Sequence, residues 1–270
     1  VDRKKMTVPD LVLRKAAGEP LVMVTAYDAT FARLVDDAGV ELILVGDSVA
    51  TVVQGERTTL PVTLDEMAYH TRLVARARPR ALVVGDLPFG SYQTSPHQAV
   101  DSAVRLVKEG AEIVKLEGGL PMADAIDAIA RVDIPVMAHL GLTPQSYHRM
   151  GGHRVQGRAE GTQAGGRDRL LADAKAVEAA GACAVVLEGI PSALAGEITA
   201  LLTIPTIGIG AGPACDGQVL VLHDVLGLSD RTFRFAKAYA ELRTTVVDAV
   251  GRYAAEVRSG AFPTDAHSFH

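Results

Sequence analysis

The chain has 270 residues, 48% hydrophobic and 4% aromatic, with no Trp and 27 Lys plus Arg against 32 Asp plus Glu. That length and apolar content allow a full buried core and argue against disorder, while a formal charge of −5 with scattered Lys and Arg argues against nucleic acid as a partner. Two cysteines (Cys183 and Cys215) make no disulfide framework, no apolar run nears the roughly 20 residues that span a bilayer, and no apolar stretch follows the N-terminus, so a cytoplasmic protein without a membrane partner is expected.

Short apolar runs alternate with amphipathic stretches. Strands are predicted over 21–26, 42–45, 81–84, 112–116, 134–138, 184–187 and 206–209, with a weaker eighth near 219–222. Helices are predicted over 31–38, 64–77, 96–109, 123–131, 169–180 and 192–201, several closed by a glycine (Gly39, Gly110, Gly181). The stretch 233–257 also reads as helix. Continuous apolar runs are strands buried on both faces, and repeated β-α units imply a parallel sheet. Seven or eight units in this length favour a closed (β/α)8 TIM barrel, one domain over 1–270, above an open doubly wound sheet. Two long connections, 51–61 and 141–166, are expected over the active face.

The apolar runs end in charged or imidazole side chains. Val45-Gly46-Asp47 and Val84-Gly85-Asp86 share one context, Lys115-Leu116-Glu117 closes a third run, and His139 and Glu188 close two more. In a parallel barrel these tips converge on the catalytic face. One such Asp could equally cap the segment that follows it. Two matched tips together with Glu117 favour a divalent cation, since bare carboxylates this close repel. Oxygen-only ligands point to Mg2+ rather than Zn2+. Lys115 and Glu117 are two apart on a strand and face the same side. Lys115 could form an imine with a carbonyl substrate or stay charged beside an enolate oxygen. His139 reads as an orienting or catalytic group, and Glu188 as a general base or an ion-pair partner. The turn Gly208-Ile209-Gly210-Ala211-Gly212 serves as well without a phosphate as with one. The residues alone reach a Mg2+-dependent barrel enzyme that stabilises an enolate.

The same residues lie in blocks that resemble the ketopantoate hydroxymethyltransferase family. These are Val24-Thr25-Ala26-Tyr27-Asp28, Leu44-Val45-Gly46-Asp47-Ser48, Val53-Gln54-Gly55 and Thr59-Leu60-Pro61-Val62-Thr63. Asp86-Leu87-Pro88-Phe89, Val114-Lys115-Leu116-Glu117-Gly118-Gly119 and His139-Leu140-Gly141-Leu142-Thr143-Pro144-Gln145-Ser146 follow. Val155-Gln156-Gly157-Arg158, Ile207-Gly208-Ile209-Gly210-Ala211-Gly212 and His267-Ser268-Phe269-His270 complete the series. The resemblance implies a barrel of the phosphoenolpyruvate mutase/isocitrate lyase superfamily. It implies transfer of a hydroxymethyl group from 5,10-methylenetetrahydrofolate to 3-methyl-2-oxobutanoate, giving 2-dehydropantoate and tetrahydrofolate in pantothenate synthesis. It further implies Mg2+ at Asp47, Asp86 and Glu117, keto-acid contacts from Asp47, Ser48, Asp86 and Lys115, Glu188 as the general base, and a homo-oligomer, a decamer; Lys115 and His139 join Glu188 as candidate catalytic residues on the reading of the residues above. Val49-Ala50-Thr51 stands where members often carry Leu-Gly-Met, and 159–166 is longer and richer in glycine than in many members. Competing readings are a superfamily lyase cleaving a C–C or P–C bond of a 2-oxo acid, a Lys115 imine aldolase, and a barrel that only binds a metabolite.

Overall fold

The computed structural model describes residues 4–161, 163–229 and 233–270. Its elements open with α1 (Val8–Ala17), β1 (Leu21–Thr25), α2 (Ala29–Asp37), β2 (Leu42–Val45), α3 (Val49–Val52), α4 (Leu64–Ala75), β3 (Leu82–Asp86), α5 (Pro96–Lys108) and β4 (Ile113–Glu117). They continue through α6 (Ala123–Ala130), β5 (Val136–Gly141), α7 (Tyr147–Met150), α8 (Arg167–Ala179), β6 (Ala184–Glu188), α9 (Ser192–Leu201), β7 (Thr206–Ile209) and β8 (Gly217–Leu220). The last two helices are α10 (Leu222–Val225) and α11 (Leu242–Ser259). All eight strands are parallel and β8 pairs with β1, so the sheet closes into the expected (β/α)8 barrel. The chain divides into two compact units, Val1–Val221, which holds every strand, and Leu222–His270.

Period two along each strand sorts the barrel interior into layers. Leu82 and Val84 share one face of β3, and Asp86 continues it. Ile113 leads to Lys115 and Glu117 on β4, Met137 to His139 on β5, and Ala184 and Val186 to Glu188 on β6. The earlier members of these series belong to the buried apolar core, together with Leu21, Met23, Leu42, Leu44, Ile207 and Val219. The later members form a charged layer above it, at the strands' C-terminal ends. One alternation therefore supplies both the apolar floor and the reactive mouth.

Three features differ from expectation. The eighth strand starts at Gly217 rather than Val219, because Gly217 pairs with both Leu21 and Ile207 where the sheet closes. A Cβ there would collide with the Leu21 carbonyl oxygen, so the closing strand needs glycine at that point. The predicted helix over 233–257 starts only at Leu242. Its earlier residues turn their amides elsewhere: Tyr239 N–H donates to Val225 O at 2.8 Å and Leu242 N–H to Leu226 O at 2.9 Å. Finally, α1 was not anticipated. Thr7 and Asp10 form a capping box at its start, and Met6 and Leu11 join the apolar core at the strands' N-terminal side.

Candidate active site

Register dictates which charges meet. Asp86 of β3 lies opposite Lys115 of β4, and Glu117 of β4 opposite His139 of β5. Lys115 Nζ donates to both Asp86 oxygens at 2.7 Å, and the pair is almost wholly buried, at 4% and 1% side-chain exposure. Asp47 follows β2, and its backbone N–H donates to Asp86 Oδ2 at 3.3 Å. Neither aspartate caps a helix. Burial, with Asp86 and Glu117 close by, drives the Asp47 carboxyl well above its usual range. Burial also raises Asp86, against the pull of Lys115. For Lys115, burial disfavours the charge, yet Asp86, Glu117 and Asp47 together hold its pKa above the ordinary lysine value. A lysine kept protonated in a two-oxygen ion pair is a poor imine nucleophile and a good partner for negative oxygen.

His139 bridges the remaining carboxylates. Its Nδ1 lies 3.4 Å from Glu117 Oε1 and its Nε2 lies 3.2 Å from Glu188 Oε2. Burial and nearby Lys115 oppose a charged ring, but Glu117 and Glu188 outweigh them and raise its pKa to about 9. The ring is therefore a cation at neutral pH, and it fixes Glu188 from behind. Burial would raise Glu117, but His139, Lys115 and the Gln145 backbone N–H bring it below its ordinary value. Glu188 keeps 17% side-chain exposure at the mouth, the accessibility a base toward substrate needs. Gly141, at φ 94°, lies opposite Glu188 in the sheet, where a Cβ would collide with the Glu188 carbonyl oxygen.

Two residues that sequence reasoning did not single out organise this cluster. Gln145 donates through Nε2 to Asp47 Oδ2 and to Leu87 O, each at 3.0 Å, and through its backbone N–H to Glu117 Oε2 at 2.9 Å. Tyr92, 1% exposed, donates its hydroxyl to Gln145 Oε1 at 2.7 Å and accepts the Glu117 N–H at 3.0 Å. Ser48, a predicted substrate contact, has its Oγ 2.8 Å from the Tyr27 hydroxyl. Asp47, Ser48, Asp86, Lys115, Glu117, His139 and Glu188 thus all stand at the strands' C-terminal ends. Cys183 and Cys215 precede β6 and β8 and lie at the opposite ends of the strands; burial pushes the Cys183 thiol up to about 12.

The donor set suits a divalent cation. Among the described residues, Asp47, Asp86, Glu117 and Glu188 face two cationic groups, Lys115 and His139, so full ionisation leaves a negative excess. Glu117 Oε1 is buried and, like both His139 ring nitrogens, makes no hydrogen bond of good geometry; its contact is the 3.4 Å ion pair with His139. Among the described residues no three His, Cys, Asp or Glu side chains converge on one point, so an ion here would complete its shell with water and substrate oxygens. Mg2+ favours such a shell. Beside the cluster lies a cavity of about 430 Å3 that shares Glu117, His139 and Gln145 with it. Ser146, Arg149, Met150, Gln156 and Gly165, from the long connection after β5, line its outer side.

The model of the ketopantoate hydroxymethyltransferase family matches residues 5–265. A protein of Pelobacter propionicus named 3-methyl-2-oxobutanoate hydroxymethyltransferase is 58% identical over 270 residues, covering 99% of this chain and 98% of its own. One of the same name from Geobacter sulfurreducens is 59% identical over 265 residues, covering 97% and 98%. Among solved structures, phosphonopyruvate hydrolase in complex with oxalate and Mg++ is similar in fold, with a TM-score of 0.63 at 14% identity, covering 98% of this chain and 92% of that one. The 2,3-dimethylmalate lyase, a PEP mutase/isocitrate lyase superfamily member, gives 0.60 at 19% identity over 98% and 92%.

Proposed function

This chain belongs to the ketopantoate hydroxymethyltransferase family, and from that membership we propose that it catalyses hydroxymethyl transfer from 5,10-methylenetetrahydrofolate to 3-methyl-2-oxobutanoate, the step of pantothenate synthesis that yields 2-dehydropantoate. The observation that carries the reading is the burial of Asp47, Asp86 and Glu117 around one charged lysine, at the mouth of a barrel in this family. Asp47 and Asp86 would hold Mg2+, with Glu117 reaching it through water. An ion there would supply Lewis acidity toward the substrate's oxygens and so acidify the neighbouring C–H.

The chain's own groups supply the rest. Ser48, with Tyr27 behind it, binds the substrate carboxylate through its hydroxyl. Lys115 faces the oxygen that becomes negative and stays an ammonium throughout. Glu188 takes the proton from C3, and the His139 cation keeps its carboxylate aimed. The carbon nucleophile then gains the one-carbon unit, with water supplying the hydroxyl oxygen and tetrahydrofolate leaving. Gln145 keeps Asp47 and Glu117 in register during these steps.

The chain works as one barrel enzyme over 1–270, cytoplasmic and assembled as a homo-oligomer, a decamer. No helix among the described residues is long and apolar enough to cross a membrane. α11 buries none of its residues, and Val246, Val250, Tyr253 and Val257 make an exposed apolar row along it, which supports assembly. The test is to incubate the protein with both substrates and Mg2+, with and without EDTA, and follow 2-dehydropantoate by NMR. Product that vanishes with EDTA supports the reading; product that survives EDTA returns weight to a Lys115 imine, and no product removes the assignment.

A further inference from the structure

The cavity beside the charged cluster is a separate compartment. Asp47, Asp86, Lys115 and Glu188 do not line it, whereas Glu117 and His139 form the wall it shares with them. Its volume of about 430 Å3 exceeds what a five-carbon keto acid fills and falls in the roughly 300–1,000 Å3 range of larger organic ligands. Phe89, Met122, Met150 and Leu170 supply apolar walls, and Phe89 is 51% exposed although it lines the cavity. Flat aromatic rings stack well on aromatic and thioether surfaces. Polar side chains complete the lining, and two of them, Asp173 and Arg149, have hydrogen-bonding capacity left over. Asp173 is 8% exposed, and its Oδ1 accepts from Leu120 N–H at 2.8 Å and Arg169 Nε at 3.0 Å. Its Oδ2 accepts no hydrogen bond from the described residues. Arg149 is exposed, bonds only to Ser146 Oγ at 3.3 Å, and forms no ion pair among the described residues.

Resting on the assignment above, we propose that this cavity binds the folate co-substrate, with Asp173 reading its pterin ring and Arg149 its anionic tail. The pterin carries an amino-pyrimidinone edge with an N–H and an amino group side by side, both donors. A buried carboxylate with one oxygen already anchored and the other open is complementary to that edge. The bicycle fits between Phe89 and the methionines, and the free Arg149 guanidinium suits the carboxylates of the glutamyl end. The shared Glu117–His139 wall then marks where the one-carbon unit meets the keto acid.

The test uses the full-length protein, with tetrahydrofolate as the calorimetric probe and the variants D173N, F89A and R149A. Asn retains an acceptor for Leu120 N–H and Arg169 but puts a donor where the open oxygen was. The keto-acid side is read separately, as exchange of the C3 proton of 3-methyl-2-oxobutanoate in D2O with Mg2+ and no folate. D173N and F89A should weaken tetrahydrofolate binding about tenfold or more and leave the exchange rate unchanged. R149A should weaken tetrahydrofolate but not a tetrahydropterin that lacks the glutamyl tail. Wild-type affinity in both D173N and F89A overturns the proposal, as does an equal loss of exchange, which would mean that these walls only support the cluster. A wild type that binds tetrahydrofolate with this variant pattern, yet neither exchanges nor forms product, upholds the cavity assignment and removes the keto-acid reading instead.

Discussion

Replacing Lys115 with Met tests the electrostatics of the mouth directly. Methionine matches the lysine stem in length and keeps the packing, so the change removes mainly the charge. In the parent protein Lys115 donates to both Asp86 oxygens at 2.7 Å, with both side chains almost fully buried. Removing one partner of a buried pair leaves an uncompensated charge and costs about 3–5 kcal/mol. At a few degrees per kcal/mol, that lowers the melting temperature by roughly 10 °C. The loss has a definite pH dependence. Burial already raises the carboxyls of Asp47 and Asp86 above their ordinary value of 3.8, and Lys115 is the group that opposes the rise. In Lys115→Met both rise further. A raised carboxyl contributes stability that is complete below its unfolded pKa and lost as pH rises through its folded pKa. The deficit of the variant is therefore largest at pH 8 and shrinks toward pH 5. Added Mg2+ stabilises the variant more than the parent, since it meets a more negative site. Urea and thermal melts followed by circular dichroism, at both pH values with and without Mg2+, read all three effects. A metal-free variant as stable as the parent at pH 8, or one whose deficit grows on acidification, refutes this account of the cluster.

Three further outcomes are expected. Glu188→Gln preserves volume but removes the base, so the C3–H exchange of 3-methyl-2-oxobutanoate followed by NMR should slow by roughly 10²–10⁴-fold while the fold persists. Gln145→Leu leaves buried acceptors on Asp47 and Leu87 without their donor. It should cost about 1–3 kcal/mol in a urea melt and weaken Mg2+ binding measured by calorimetry, and an unchanged metal affinity would show that Gln145 does not set Asp47. Cys183, with its thiol pushed up to about 12, should resist N-ethylmaleimide at pH 8, where only about one part in ten thousand is thiolate. Peptide mass spectrometry should then find the label on Cys215 first.

The barrel and its charged tips were legible because each depends on a local pattern. Uninterrupted apolar runs mark the strands, and a charge at the end of the same period-two series inherits the inward face, as Lys115 and Glu117 do after Ile113. The first helix carried a local signal too, the Thr7–Asp10 capping box, although Leu11 is its one buried residue. Gln145 and Tyr92 were invisible for a different reason. They are uncharged, and their roles exist only through partners distant in sequence: Gln145 meets Asp47 across 98 positions and Tyr92 meets Gln145 across 53. The side cavity is likewise assembled from positions near 89, 122, 150 and 170, of which only Phe89 lies in a recognised block. The start of β8 was misjudged because its determinant is steric, the close approach of Gly217 to Leu21, rather than hydrophobic.

The eight strands divide unevenly between two tasks. A continuous arc from β2 to β6 carries Asp47, Asp86, Lys115, Glu117, His139 and Glu188, while among the described residues β7, β8 and β1 themselves end in no charged side chain, and the sheet closes through backbone contact at Gly217. Repulsion is thus concentrated on one side of the ring. Local opening is expected to follow the same division: in the absence of ligand, hydrogen exchange should find the amides at the ends of β2 to β4 faster than those where β8 meets β1. Ligands that neutralise the arc slow it selectively. A divalent cation held by the arc would, in this sense, be part of what keeps half of the barrel shut.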